Sequence, residues 1–286
     1  MIPPVAEGAL LAYRPRFRPR GGRPGAHLSH DDGGLGYFRD HAPFSARPEP
    51  RHIDLRATLK DPFGRLQVRR YDPPGSIDVY ALVDLSASLG FSGFGQPFAL
   101  ARRLCVELAR AAGRYGDAFG VVGADARPRP DFHICATRRR GLELEVGALF
   151  ESFRPRGAGS EGLEAAAASL AGRRKLVFVA SDFKFPLERV DALMDALSAH
   201  DVIPVVLGDS ASLEGLPGFG LISLGDLETG EERLVFMRPS LRRRWLEEAR
   251  ARETALDLLF LRHGRNAVRV TDRLDVEDLS RALLER

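Results

Sequence analysis

Ile77-Asp78-Val79-Tyr80-Ala81-Leu82-Val83-Asp84-Leu85-Ser86-Ala87-Ser88 is the stretch on which the fold turns. From Ile77 to Leu85 apolar side chains fall on both faces of an extended segment, the pattern of a central strand in a parallel sheet. The run then ends in one carboxylate and two hydroxyls at spacing two. Alternate residues of an extended chain point the same way. Asp84, Ser86 and Ser88 therefore converge on one point if the backbone stays extended or turns tightly. A carboxylate and two hydroxyls are hard oxygen ligands, suited to Mg²⁺ or Mn²⁺ rather than zinc or copper. A second reading stands beside this one: Ser86 or Ser88 caps the helix that follows.

Downstream, strands alternate with helices. Pro97 opens a helix whose stripe is Phe98, Ala101, Leu104, Cys105, Leu108 and Ala112, with Arg102, Arg103 and Arg110 outside. Residues 118–122 and 132–136 read as short strands joined by a Pro-rich turn, and 142–153 and 162–170 as helices. Lys175 to Ser181 is a second strong strand, wholly apolar from Leu176 to Ala180 and ending in Ser181-Asp182-Phe183. A helix from Pro186 follows, then a third buried strand at 202–207. Weaker strands at 220–224 and 233–237 flank a turn at Thr229-Gly230. A long helix from Pro239 to about Asp257, a strand at 268–270 and a helix at 275–284 close the chain. This order predicts an α/β fold, a doubly wound, mostly parallel sheet with helices on both faces.

Ligands of such folds sit beyond the carboxyl ends of the strands. Two strands end there in an aspartate, Asp84 and Asp182, and a Gly-rich loop between them ends in Ser160. Asp84, Ser86, Ser88, Ser160 and Asp182 would surround one cation with five oxygens. A sixth position remains for water or an outside carboxylate, as octahedral Mg²⁺ at about 2.1 Å requires.

Residues 1–74 differ from the rest. Gly8 to Gly25 carries Arg14, Arg16, Arg18, Arg20 and Arg23 and no acid, as a solvated or draped surface arm would. Residues 53–58 and 66–71 read as short strands around the Asp61-Pro62-Phe63-Gly64 turn. Tyr71-Asp72-Pro73-Pro74-Gly75 breaks the chain, so the domain boundary is placed there, with 75–286 as the α/β domain. Across all 286 residues, 42 basic side chains face 39 acidic ones, an even balance that does not by itself point to nucleic acid. Cys105 and Cys135 give neither a disulfide framework nor zinc spacing. No apolar stretch approaches the ~20 residues of a membrane span, and Met1-Ile2-Pro3-Pro4 does not begin a signal peptide. The expectation is a cytoplasmic protein. A hydrolase using Ser86 would need a histidine base, and no motif brings His52, His133, His200 or His263 to it. A phosphotransferase built on Asp84 lacks a second acid or lysine at motif spacing. Both remain alternatives to a binding role. Arg138-Arg139-Arg140 reads as a solvated turn, since no aromatics interleave it for nucleic acid.

The Asp84-Leu85-Ser86-Ala87-Ser88 string resembles the Asp-x-Ser-x-Ser motif of the von Willebrand factor A domain and its metal-ion-dependent adhesion site (MIDAS). Ser160 stands where that family has Thr, and Asp182 at its second aspartate. A closer resemblance is to the bacterial domain of unknown function 58 family. Ile53-Asp54-Leu55-Arg56-Ala57-Thr58 is similar to its Ile-Asp-Trp-Arg-Ala-Thr segment, and Val68-Arg69, Ser181-Asp182-Phe183, His200-Asp201-Val202-Ile203 and Asp226-Leu227-Glu228-Thr229-Gly230 also match. Leu55 replaces Trp, and the Gly-Asp pair expected before Arg51 is missing. The resemblance implies a non-catalytic, chaperone-like adaptor with Mg²⁺ or Mn²⁺ at the five oxygens. It also implies a MoxR-type AAA+ ATPase as partner and a client protein, with methanol dehydrogenase as one candidate client. A partner's acidic residue would complete the metal site.

Overall fold

The computed structural model describes residues 10–19, 25–28, 37–72, 74–91, 93–155, 157, 159–211, 217–225 and 232–286. The expected turn at Thr229-Gly230, the 226–230 match, and Arg20 and Arg23 of the arm lie outside the described residues. The chain forms two units. One comprises residues 1–14, 78–114 and 118–286, the other residues 15–77 and 115–117.

The larger unit is built on a six-stranded sheet. Its strands are β5 (Asp78–Asp84), β6 (Ala118–Ala124), β7 (Pro128–Thr137), β8 (Leu176–Ser181), β9 (Asp201–Gly208) and β12 (Val268–Thr271). They lie in the order β12-β9-β8-β5-β6-β7, all parallel except β7, which is antiparallel to β6 at one edge; β10 (Gly220–Gly225) and β11 (Glu232–Met237) pair with each other in a separate antiparallel sheet. Every residue of β6 and β8 is buried, which is why these segments read as continuous apolar runs. From β5 the chain first winds one way, through β6 and β7, and then returns to the other side of β5 through β8. The strand order therefore reverses between β5 and β8, and Asp84 and Ser181 are the last residues of those two strands.

Helices cover both faces. Leu82, Val177 and Val179 pack with α4 (Gly162–Ala168), α5 (Leu187–Ala196) and α6 (Pro239–Arg262) through residues such as Ala166, Leu193 and Phe260. Their strand neighbours Ala81, Val83 and Phe178 point oppositely and are also fully buried. That second layer holds α2 (Pro97–Tyr115), α3 (Leu142–Ser152) and α7 (Val276–Glu285). Phe98 of α2, Phe132 of β7 and Phe150 of α3 form one aromatic cluster there, with centroids 4.9–6.4 Å apart. The arm contributes to the same layer. Leu11 and Tyr13 are buried, Tyr13 sets its ring edge-on to Phe178, and Ala12 donates its N–H to Ser280 Oγ at 3.0 Å. Leu11 to Tyr13 are therefore packed, while Leu10 and Arg14 on either side are exposed.

Two boundaries differ from the sequence expectation. The expected Pro-rich turn before residue 132 is the start of β7, with Pro128 and Pro130 inside it. An edge strand has one side free of ladder bonds and tolerates proline. The long helix α6 continues past Asp257 to Arg262 and stops where Gly264 takes a φ of 66°.

In the smaller unit β2 (Tyr37–Pro43) pairs antiparallel with β3 (Gln67–Asp72), and β1 (His27–Leu28) with β4 (Pro74–Gly75). The strand expected at 53–58 is instead the helix α1 (Leu55–Lys60). Asp54 decides the matter: its Oδ1 accepts the N–H groups of Arg56 and Ala57 at 2.9 and 3.1 Å, a helix N-cap. Only Ile53 retains a strand contact, a single bridge to Val68.

Candidate metal centre

Asp84 is wholly buried at the end of β5. Its Oδ1 accepts the Ser86 N–H at 2.9 Å and its Oδ2 accepts the Ser181 hydroxyl at 2.6 Å. Burial pushes this carboxyl up to about 6; the Ser181 and Ser86 hydrogen bonds oppose the rise and the nearby Asp182 charge adds to it. Ser86 precedes a 3₁₀ turn, Ala87–Gly90, yet its side chain makes no cap hydrogen bond there. The Ser86 hydroxyl instead lies 3.0 Å from the Ser88 hydroxyl. The alternate residues of Asp84-Leu85-Ser86-Ala87-Ser88 thus come together as an extended-then-tight backbone allows.

Ser160 arrives on a separate loop. Gly157 pairs with Ser86 in a parallel bridge, and the Ala87 N–H donates to the Gly157 carbonyl at 2.9 Å. Asp125, just past β6, holds this loop: its carbonyl accepts the Gly162 N–H at 2.8 Å and its carboxylate takes Arg129 Nη1 at 3.1 Å. A Cβ on Gly157 would fall 2.4 Å from Asp125 Cβ, so the approach demands glycine. Ser160 itself is buried, and its Oγ has no hydrogen-bond partner.

Asp182 follows β8. Phe183 adopts a φ of 51°, a conformation costing about 1 kcal/mol or more for a bulky residue. It is held there by three things: its N–H donates to Ser181 Oγ at 2.9 Å, its ring is buried in the core, and its carbonyl accepts Arg252 Nη2 at 2.7 Å. Asp182 Oδ1 accepts the Lys184 N–H at 3.1 Å. Its Oδ2 is buried without a hydrogen bond, because Lys184 Nζ at 3.6 Å is close enough for an ion pair but too far to donate.

Buried oxygens without partners are costly. Two of the five expected ligands, from two different segments, are in that state, and both are hard donors that a divalent cation would satisfy. Among the described residues no group of three or more His, Cys, Asp or Glu side chains could hold a metal ion. The candidate set is of another kind, two carboxylates and three hydroxyls. Ser181 carries no direct role in the sequence reading, yet it orients Asp84. Its signal was its place beside Asp182 at a strand end, with its partner fixed only by the pairing of β8 with β5. The four histidines weighed as bases for Ser86 are engaged elsewhere. His200 lies against the Lys175 N–H at 3.4 Å, His263 pairs with Asp191 at 2.6 Å, His52 pairs with Glu49 at 2.9 Å, and exposed His133 lies 3.9 Å from Cys135.

The profile of a family described as "Protein of unknown function DUF58" matches residues 49–255. The chain belongs to the DUF58 family. An "Uncharacterized protein in moxR 3'region" from Paracoccus denitrificans is 34% identical to this DUF58 chain over 101 residues, which is 35% of the chain and 96% of that relative. Among solved structures, an aerotolerance-related membrane protein from Bacteroides fragilis aligns at 16% identity and a TM-score of 0.44, covering 73% of this chain and 98% of that one. The SpRpn10 VWA domain aligns at 12% identity and a TM-score of 0.37, covering 72% and 94%. Among the described residues of this DUF58 chain no helix is long and apolar enough to cross a membrane.

Proposed function

We propose that this protein is a metal-dependent, non-catalytic adaptor that works with a MoxR-type AAA+ ATPase in assembling or activating a client protein. Asp84, Ser86, Ser88, Ser160 and Asp182 are the proposed ligands, and Mg²⁺ or Mn²⁺ the ion. The reading is carried by two buried oxygens without a hydrogen bond, Ser160 Oγ and Asp182 Oδ2, beside the point where the strand order reverses. A bound cation would supply a positive charge with one exchangeable position for a partner's Asp or Glu. The chain's own part is positioning: Ser181 and the Ser86 N–H aim Asp84, Asp125 seats the Ser160 loop, and Phe183 turns Asp182 at the end of β8. The name of the Paracoccus relative supports the choice of ATPase. An MxaS-type role with methanol dehydrogenase as client is the narrowest form of the proposal. A cytoplasmic location is part of it as well.

Calorimetry with Mn²⁺ on the full chain tests the metal. Binding is expected for the unaltered protein and at least a 100-fold loss for Asp84→Ala or Asp182→Ala, since each removes a charged ligand. Equal affinity in all three proteins would defeat the reading. A pull-down with the ATPase in Mg²⁺ and in chelator tests the partner, with capture expected only in Mg²⁺. Turnover of phosphate or ester substrates by the purified protein would favour the hydrolase or phosphotransferase alternative instead.

A further inference from the structure

The smaller unit carries a surface that the metal reading does not use. On α1, Leu55 and Leu59 are 69% and 87% exposed, and Phe63, just past the helix, is 74% exposed. Residues four apart on a helix share a face about 6 Å apart along the axis. Leu55 and Leu59 therefore form one apolar stripe, and Phe63 is a further exposed apolar side chain in the turn beyond the helix. Arg56 and Lys60 form a second stripe, one residue on and so turned about 100° around the axis. Both are exposed, and neither forms an ion pair among the described residues. Arg65 lies close by, its guanidinium 4.5 Å over the Phe63 ring and its Nε 3.6 Å from Asp61 Oδ2, so its charge is already partly matched.

The two acids that flank α1, Asp54 and Asp61, are both engaged. Asp54 is engaged by two backbone N–H groups, Arg69 Nε at 2.7 Å and His41 Nε2 at 3.1 Å. Asp61 accepts the Phe63 and Arg65 N–H groups at 3.2 and 2.8 Å. What remains facing outward is apolar and positive. Beside the helix lies a depression of about 490 Å³ whose lining includes Arg56 and Lys60 together with the engaged Asp54 and Asp61.

We infer that this face of α1 docks an acidic amphipathic helix of a partner protein, with partner leucines on Leu55, Leu59 and Phe63 and partner glutamates on Arg56 and Lys60. The match is one of period and charge, because a partner helix repeats its apolar and acidic residues at the same spacing of four. A bilayer shares the chemistry of apolar and anionic groups. It has no side chain to send into the depression, and three apolar side chains bury little area for membrane anchoring.

The test uses the full chain and a labelled helical peptide of about 18 residues, five turns, with Leu on one face and Glu beside it. A control peptide carries Lys in place of Glu. The acidic peptide is expected to bind and the basic one to fail. Leu59→Glu and Arg56→Glu/Lys60→Glu are each expected to weaken binding by about ten-fold or more, at unchanged circular dichroism. Added salt should weaken it further. Asp84→Ala should bind the acidic peptide as the unaltered chain does, which keeps this inference separable from the metal proposal. The highly exposed Leu55 offers a second variant, Leu55→Glu, if Leu59→Glu misfolds. The inference is overturned if the acidic peptide does not bind, or if the variants bind it unchanged. It is also overturned if vesicles of equal phosphatidylcholine and phosphatidylglycerol bind in its place and lose binding in the same variants. Self-association of the chain that Leu59→Glu abolishes would assign the face to a second copy, and that too overturns it.

Discussion

Asp84 and Asp54 are both largely buried carboxylates that accept backbone N–H groups two residues on, and their surroundings move them in opposite directions. At the sheet edge burial dominates, and the neighbouring Asp182 charge adds to it, so Asp84 is pushed up to about 6. In the smaller unit, the Ala57 N–H, Arg69 and His41 hold Asp54 well below the usual carboxylate range. The first site keeps a cost that an added cation could relieve. The second has already met its acid's needs and shows its cations to solvent. Asp84 is thus proposed to receive a positive ligand, and the α1 surface a negative one.

The largest stability effect expected follows from the Asp84 half of this contrast. A folded pKa above the ordinary value means the folded state binds the proton more tightly, so the group's contribution worsens as pH rises from about 4 through 6. Asp84→Asn removes the buried charge and keeps an acceptor for the Ser86 N–H. In chelator at pH 7 it should stabilise the protein, by up to about 3 kcal/mol for a shift of this size. The gain should fade as pH drops to about 4, where the unaltered carboxyl is itself protonated. Urea titrations at both pH values measure this, and a variant less stable than the unaltered chain at pH 7 would break the contrast.

A smaller effect is expected at Ser181, which serves two neighbours at once. Ser181→Ala leaves Asp84 Oδ2 without its donor and the Phe183 N–H without its acceptor, in a turn already strained at Phe183. The expected loss is about 1–2 kcal/mol. Mn²⁺ affinity should fall as well, because the less stabilised Asp84 anion and the loosened Asp182 turn both weaken the ligand set. Unchanged metal affinity at reduced stability would show that Ser181 supports the fold and not the site.

The legible parts of the sequence were those in which burial leaves one pattern. β5, β8 and β9 are buried on both faces, so continuous apolar runs marked them, and the acids at their ends stood out against the run. Residues 53–58 misled because Ile53, Leu55 and Ala57 alternate with polar residues as a strand would. Leu55 and Leu59 do not face a core in the structure, so helical spacing had no buried stripe to reveal it. The prolines at 128 and 130 look like a turn unless the segment is known to be an edge. Leu11 and Tyr13 sit near several arginines, and their burial depends on Phe178 and Ser280, which are remote in sequence. Ser160 and Asp182 were found as residue types at strand and loop ends. Ser181 was passed over because its role depends on which strand lies beside β8.

The smallest effect should come from Asp54, and it has the opposite sign. A depressed folded pKa gives a stabilising contribution that is present above the ordinary carboxylate value and is lost as pH falls through the folded one. Asp54→Asn keeps an oxygen for the Arg56 and Ala57 N–H groups but turns an amide toward Arg69 and His41 in place of a charge. At pH 7 the helix α1 should open more readily, seen as faster hydrogen exchange at the amides of Thr58 and Leu59. Below about pH 4 the carboxylate of the opened helix begins to protonate while the folded one stays ionised, so the difference between the two proteins should shrink as pH falls further. Asp84→Asn and Asp54→Asn therefore start from opposite signs at neutral pH and converge on no effect in acid. If both substitutions stabilise at pH 7, Asp54 is not held by its cations. The α1 surface would then lack the inward-turned acid that leaves its positive charge facing out.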